Sequence, residues 1–148
     1  MGKLEAASKQ FVEAFNRHDP DAVAAGYATD CVVNDPAYPV PLVGRNAVRE
    51  DAAKFFRAFP DLRIESLERF EKGDFGAEEF RMTGTNTGPL EEPAGEIAAT
   101  GKRIDLKGAA VIRFDAQGLV REERRYYDAA SLIRQLGLAP EPAGATTR

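Results

Sequence analysis

The chain has one cysteine and one histidine in 148 residues, and these two scarcities remove much chemistry before any motif is read. A lone Cys31 cannot close an internal disulfide or build a cysteine zinc cluster, and it fits a reducing cytoplasm. It has no companion histidine in the sequence pattern, so it reads as a core residue and not a nucleophile. A lone His18 rules out a multi-histidine metal centre and reads as a loop residue near a helix end. No apolar run approaches the ~20 residues that span a bilayer. The opening stretch MGKLEAASKQFVEAF has the look of an amphipathic helix, not of a signal peptide. An excess of positive charge is also missing: the formal charge is −4 with acids and bases interspersed, which argues against nucleic acid as a partner. What remains, with 43% hydrophobic and 30% charged residues, is the composition of a soluble globular domain long enough for a real core.

The first half is helical in pattern. Leu4, Ala7, Phe11 and Val12 recur at helical spacing and predict a helix ending near Asn16. Asp19 and Pro20 are start signals for a second, short helix over Asp21 to Ala28. Cys31 to Asn34 reads as a short strand, and Asp35 to Val43, with three prolines, as an irregular loop. A third helix is expected over Ala47 to Phe59, with Val48, Ala52, Phe55, Phe56 and Phe59 on one stripe and Pro60 ending it. From Leu62 the period changes to that of strands. Leu62 to Glu71, Phe75 to Thr87, a stretch ending near Phe114, and Leu119 to Tyr127 predict a four-stranded antiparallel meander. Gly88 to Ala99 reads as a loop that could lie over an opening. The result is an α+β domain over residues 1–138, a curved antiparallel sheet packed on three N-terminal helices, with a loose tail over 139–148. Small Gly108 and Ala110 in mid-strand suggest a groove, so a cavity between sheet and helices is expected.

The last strand and the short helix after it carry the most chemistry. Asp128 sits where the helix Ala129 to Leu136 should begin and reads as its cap; Gly137 and Pro140 stop it. The strand is unusually charged, with Arg121, Glu122, Glu123, Arg124 and Arg125 in one row. Alternation puts either Arg121, Glu123, Arg125 and Tyr127 on one face, or Val120, Glu122, Arg124 and Tyr126.

Four segments, in order, resemble the SnoaL-like polyketide cyclases of the nuclear-transport-factor-2-like superfamily: Phe15 to Asp21, Gly44 to Val48, Gly84 to Gly88 with Thr100-Gly101-Lys102, and Gly118 to Gly137. The resemblance implies a cone-shaped fold with an apolar pocket, no metal or organic cofactor, and a homodimer formed through the outer sheet face. It further implies acid/base chemistry on a small, mainly apolar carbonyl substrate, run by a carboxylate on the last strand. This chain departs from that pattern. The family's aspartate position falls on Arg125 in the run Arg124-Arg125-Tyr126-Tyr127-Asp128, and arginine cannot accept a proton in a protein. Arg125 can bind an anionic oxygen instead, and Glu123, on the same face, is the nearest replacement acid or base. The family histidine is Asn86 here, expected to line the pocket. Asn34 matches a position of polar substrate contact, and Tyr27 and Tyr38 could supply hydroxyls at the mouth. Arg103-Ile104-Asp105 looks like the Arg-x-Asp pair of the related limonene-epoxide-hydrolase pattern but falls on a different strand, and Asp105 is expected on the outer face. Two readings follow: a cofactor-independent cyclase or isomerase, or a non-catalytic binding or dimerising module of the same fold that has lost the acid.

Overall fold

The computed structural model describes residues 2–138; the expected tail over 139–148 lies outside them. Helix α1, Lys3–Asn16, is amphipathic and buries Leu4, Ala14 and Phe15. Helix α2, Pro20–Ala25, starts on Asp19, whose carboxylate accepts from the Ala22 amide, with proline at the first helical position. It ends at Ala25, three residues before the sequence pattern suggests, and Tyr27 and Ala28 belong to strand β1, Tyr27–Asn34. The two-residue strand β2, Leu42–Val43, lies in the proline-rich stretch that follows. Helix α3, Arg45–Ala58, buries Val48, Ala52 and Phe56 and starts two residues earlier than expected.

The second half supplies β3, Arg63–Lys72, β4, Phe75–Thr85, β7, Arg103–Phe114, and β8, Val120–Tyr127, with helix α4, Ala129–Gln135, capped by Asp128 as its position suggested. These strands form the predicted meander, but the sheet is larger, with order β2-β1-β8-β7-β4-β3. The longer β1 reaches the meander and pairs with β8 in parallel. The pairing lays Tyr27 and the residues after β1 beside the most polar strand. Asp105 stands on the outer face as expected, in a bidentate pair with Arg81 at 2.8 and 2.5 Å.

A bulge decides the parity of β8. On β7, Arg113 faces Glu122 while the next residue, Phe114, faces Val120. The extra residue, Arg121, shifts the pleat by one. Val120 and Glu123 therefore share the inner face with Arg125 and Tyr127, a set that simple alternation could not produce.

The core runs between the concave face and the helices. Phe11, Phe15, Phe56 and His18 form a chain of ring contacts at 5.5, 5.0 and 4.4 Å. His18 takes a left-handed conformation (φ 58°) just past α1, and its Nε2 lies 2.6 Å from the Leu62 carbonyl oxygen. It is a structural residue at a helix end. Among the described residues no helix is long and apolar enough to cross a membrane.

Residues 88–99 are not an open loop. They contain a hairpin, β5, Leu90–Glu92, and β6, Gly95–Ile97, pinned to α3 by Arg57, which donates to Glu91 (3.1 Å) and Glu96 (2.9 Å). The hairpin does not line the cavity. Asn86 anchors its base. It is 1% exposed and donates to the carbonyls of Ala58 (3.1 Å) and Gly88 (2.9 Å), while its side-chain oxygen accepts from the Thr100 amide and hydroxyl at 2.8 and 3.0 Å. Each donor and acceptor of this amide is used, so Asn86 holds the β4–β7 connection together and does not face the cavity as expected from its family position. Replacing Asn86 by Ala leaves buried carbonyls and an amide without partners, and the expected loss of stability is about 2–4 kcal/mol, measured by urea unfolding at neutral pH.

Candidate active site

Between the helices and the concave face lies a cavity of about 150 Å³. Its apolar walls come from α1 and α3 on one side (Phe11, Phe15, Phe55) and from the sheet on the other (Phe80, Met82, Ile112). The space expected above Gly108 is taken: a Cβ there would stand 2.7 Å from the tip of the Phe80 ring and 2.7 Å from the Tyr126 carbonyl oxygen. Ala110, not Gly108, is the open floor.

One end of the cavity is polar, and Arg125 is its centre. From β8 its Nε donates to Glu123 Oε2 (2.5 Å), and its Nη1 is shared between Asp35 Oδ2 and Asp51 Oδ2, each at 3.1 Å. The three carboxylates arrive from three places: Glu123 from the same strand, Asp35 from the end of β1, and Asp51 from the buried side of α3. Each is further held by a phenol. Tyr27 donates to Glu123 Oε1 (2.7 Å), Tyr127 to Asp35 Oδ1 (2.6 Å), and Tyr38 to Asp51 Oδ1. Lys54 stands 4.4 Å above the Tyr38 ring, and Arg45 Nε donates to the Tyr27 carbonyl oxygen (2.8 Å). Three carboxylates against one guanidinium leave an excess of negative charge in a site where the Arg125 side chain is 17% exposed and the three acids less. The second terminal nitrogen of Arg125, Nη2, makes no hydrogen bond among the described residues.

The electrostatics follow from this arrangement. Burial alone would lower the guanidinium pKa, but the surrounding anions, Glu123 foremost, outweigh it and hold Arg125 above its ordinary value. Burial, then the negative charge of Glu123, pushes the Tyr27 phenol well above the usual range. Tyr38 is raised by burial and Asp51, and Tyr127 by burial and its bond to Asp35. All three phenols are donors at neutral pH. Among the described residues no three histidine, cysteine or acidic side chains are grouped so as to hold a metal ion.

The structure thus brings together Arg125, Glu123 and Tyr27, with Tyr38 joined through Asp51. Asn34 is not brought in. It is exposed at the end of β1, because Val33 takes the inward position opposite Glu123 and the next residue must point away. Its neighbour Asp35 takes the inward role instead. Cys31 is fully buried, and burial pushes its thiol pKa up, as expected of a core cysteine. Asp35, Asp51 and Tyr127 are the residues that sequence reading did not single out. Asp51 carried a signal: it is an acid within the apolar stripe of α3, three residues after Val48 and beside Ala52. Asp35, in an aperiodic proline-rich stretch, carried none.

The family model for SnoaL-like polyketide cyclases matches residues 5–136. Among solved structures, TsrD from Streptomyces laurentii superposes with a TM-score of 0.78 at 20% identity, covering 93% of this chain and 96% of its own. A nuclear-transport-factor-2-like protein of unknown function from Burkholderia pseudomallei K96243 gives 0.73 at 21% identity, covering 92% and 98%. A protein of unknown function with a cystatin-like fold from Methylobium petroleophilum PM1 gives 0.67 at 17% identity, covering 98% and 82%. At these identities the structures establish the shared fold alone. No curated protein sequence matches the chain significantly.

The raised phenols give a pH expectation with a definite sign. A group whose pKa is higher folded than unfolded contributes stability that is whole below its unfolded value, about 10 for tyrosine, and is lost as pH rises beyond it. Tyr27, Tyr38 and Tyr127 should therefore stay unionised above that pH until the fold opens. Near-ultraviolet absorbance and far-ultraviolet circular dichroism followed together should show their phenolate signal rising only as helix and sheet are lost.

Proposed function

The chain belongs to the SnoaL-like polyketide cyclase family, and on that premise we propose that it is a cofactor-independent enzyme moving a proton on a small, mainly apolar carbonyl substrate. The reaction class is aldol-type cyclisation, isomerisation or a related proton transfer. One observation carries this reading: an apolar cavity ends in a carboxylate–guanidinium cluster whose Arg125 Nη2 is uncommitted. Glu123 takes the proton from the carbon beside the carbonyl, in the general-base role that the family gives to an aspartate one turn of the pleat further on. Negative charge that develops on the carbonyl oxygen accepts from the free N–H groups of Arg125 Nη2. The protonated Glu123 then returns the proton to the new alkoxide or to a second carbon, and Tyr27 holds its other oxygen in place throughout. Three acids occupy Nε and Nη1 of Arg125, so Nη2 is the part of the guanidinium left for the carbonyl oxygen. The negative balance of the cluster favours neutral carbonyl compounds over carboxylates.

A non-catalytic binding module is the second reading, and one feature favours it: each oxygen of Glu123, Asp35 and Asp51 already accepts a hydrogen bond. The two readings part on proton exchange. With α-methylene cyclic ketones in heavy water, followed by proton NMR, wild type should accelerate exchange, and Glu123→Gln should lower that acceleration by about 100-fold or more. Arg125→Ala should also lower it, by removing oxyanion stabilisation. Ketones that bind without any exchange would favour the module.

The same reading includes a homodimer in the cytoplasm. The outer sheet face, opposite the cavity, carries Phe70 (67% exposed), Phe75 and Tyr126 (55%), an apolar set suited to a second copy of the chain. Sedimentation equilibrium should give twice the 16.1 kDa chain mass, and Tyr126→Glu should shift it toward one; a wild-type monomer at micromolar concentration would remove the dimer from the reading.

A further inference from the structure

The far side of the cavity holds a second polar group that the proton chemistry does not use. Glu78, on β4, lines the cavity together with Ser8 of α1 and Ser66 of β3. Its Oε2 accepts from both serine hydroxyls, Ser66 at 2.8 Å. Its Oε1 accepts no hydrogen bond among the described residues. The guanidinium of Arg69 stands 3.8 Å from Oε2, which partly balances the charge from the rim. Placing a carboxylate against apolar walls is costly, and two hydroxyls on one oxygen fix its orientation while leaving the other oxygen for something else.

Its position in the sheet is as informative as its bonds. Glu78 faces Ala110 across the β4·β7 ladder, and Ala110 faces Arg125 across β7·β8. The three form one transverse row on the concave face, so Glu78 and Arg125 are rooted two strand spacings apart, roughly 10 Å. Ala110 is the residue between them in that row. On the adjoining rows stand Phe80 with Tyr127, and Ile112 with Glu123. A flat apolar body lying on Ala110 would thus touch the catalytic cluster at one edge and Glu78 at the other. A cavity of about 150 Å³ suits a body of one or two rings, since an apolar cavity of similar size accepts benzene.

We propose that Glu78, oriented by Ser8 and Ser66, is a specificity-determining residue that accepts a hydrogen bond from a hydroxyl group on the substrate, at the edge remote from the reacting carbonyl. This rests on the proposed carbonyl chemistry for the same cavity and names its substrate class: a one- or two-ring ketone bearing a distal hydroxyl. The selection is against the analogue that lacks the donor, because that analogue would cover the largely buried, oriented acceptor (side chain 14% exposed) without giving it a partner. A carboxylate at that edge is repelled, and a cation is not required because Arg69 already faces Glu78.

Matched probes test this by isothermal titration: 6-hydroxy-1-tetralone, its 6-methoxy ether, which cannot donate, and 1-tetralone itself. Wild type should bind the hydroxy compound about tenfold or more tighter than the ether, the usual range for a hydrogen bond to a charged acceptor. Glu78→Leu should bring that ratio to near one and Glu78→Gln to an intermediate value. Ser66→Ala, a milder change, should lower it if Glu78→Leu does not fold. The ratio between two ligands on one protein is not moved by a merely structural role. A wild-type ratio near one, or a ratio that survives Glu78→Leu, overturns the proposal. Full discrimination without any proton exchange would sink the enzyme reading and leave Glu78 as the selector. Failure of all three probes to bind overturns both.

Discussion

The constraint on which the site depends is the position of one guanidinium among three carboxylates. Arg125 cannot be buried alone, and neither can Glu123, Asp35 and Asp51; each removes part of the cost of the others. The pairings also tie the inner side of α3 to the end of β1 and to strand β8, which the parallel ladder already lays side by side. Three phenols complete the acceptors on the carboxylates, and their hydroxyls are held as donors by the same negative charge. A cluster of this kind does not add much net stability, since desolvation of four charges offsets most of the attraction. What it gives is geometry. Its members can satisfy one another in few other arrangements, so the polar end of the cavity is shaped before a ligand arrives.

The sheet delivers this geometry through small departures from regularity. Had β8 paired with β7 without the bulge at Arg121, Val120 would have shared a face with Glu122, Arg124 and Tyr126, as the pleat requires. The bulge lets an apolar residue seal the core at one end of the strand while Glu123, Arg125 and Tyr127 face the cavity at the other. The asymmetry of the cavity follows: acids and phenols along β8, aromatic and aliphatic walls from β4, β7 and the helices, and Glu78 with its serines at the far side.

Much of the fold was legible in the sequence, and for identifiable reasons. Long elements with clear periods, such as α1, α3 and the four strands of the meander, were placed to within a few residues, and Asp19 and Asp128 announced the helices that they cap. What was missed was what tertiary contact decides. Tyr27 and Ala28 continue a helical pattern, yet they join β1 because a parallel partner lies alongside. The hairpin over 88–99 has no strong period and depends on Arg57 and Asn86. Family position draws attention to Arg125 and the alternation of the strand to Glu123, and both line the cavity. It misled at Asn86, where a buried amide is consumed by the backbone, and at Asn34, one pleat away from the inward Asp35. Asp51 could have been suspected from an acid on an apolar helical stripe; Asp35 could not, because nothing in an aperiodic segment says which way a side chain turns.

The parallel pairing of β1 with β8 has a consequence for how the protein reaches this state. The contacts that build the polar cluster join residues far apart in sequence: Arg125 and Asp35 are separated by 90 positions, Arg125 and Asp51 by 74, Tyr27 and Glu123 by 96. Closing such distances is slow and comes only after local helices and hairpins have formed. On a ribosome, the helices and the first meander strands would emerge before β8, with Asp35 and Asp51 still in water until Arg125 arrived to pair with them. The site therefore cannot form before β8 is made, and its geometry depends on the long-range pairings being correct.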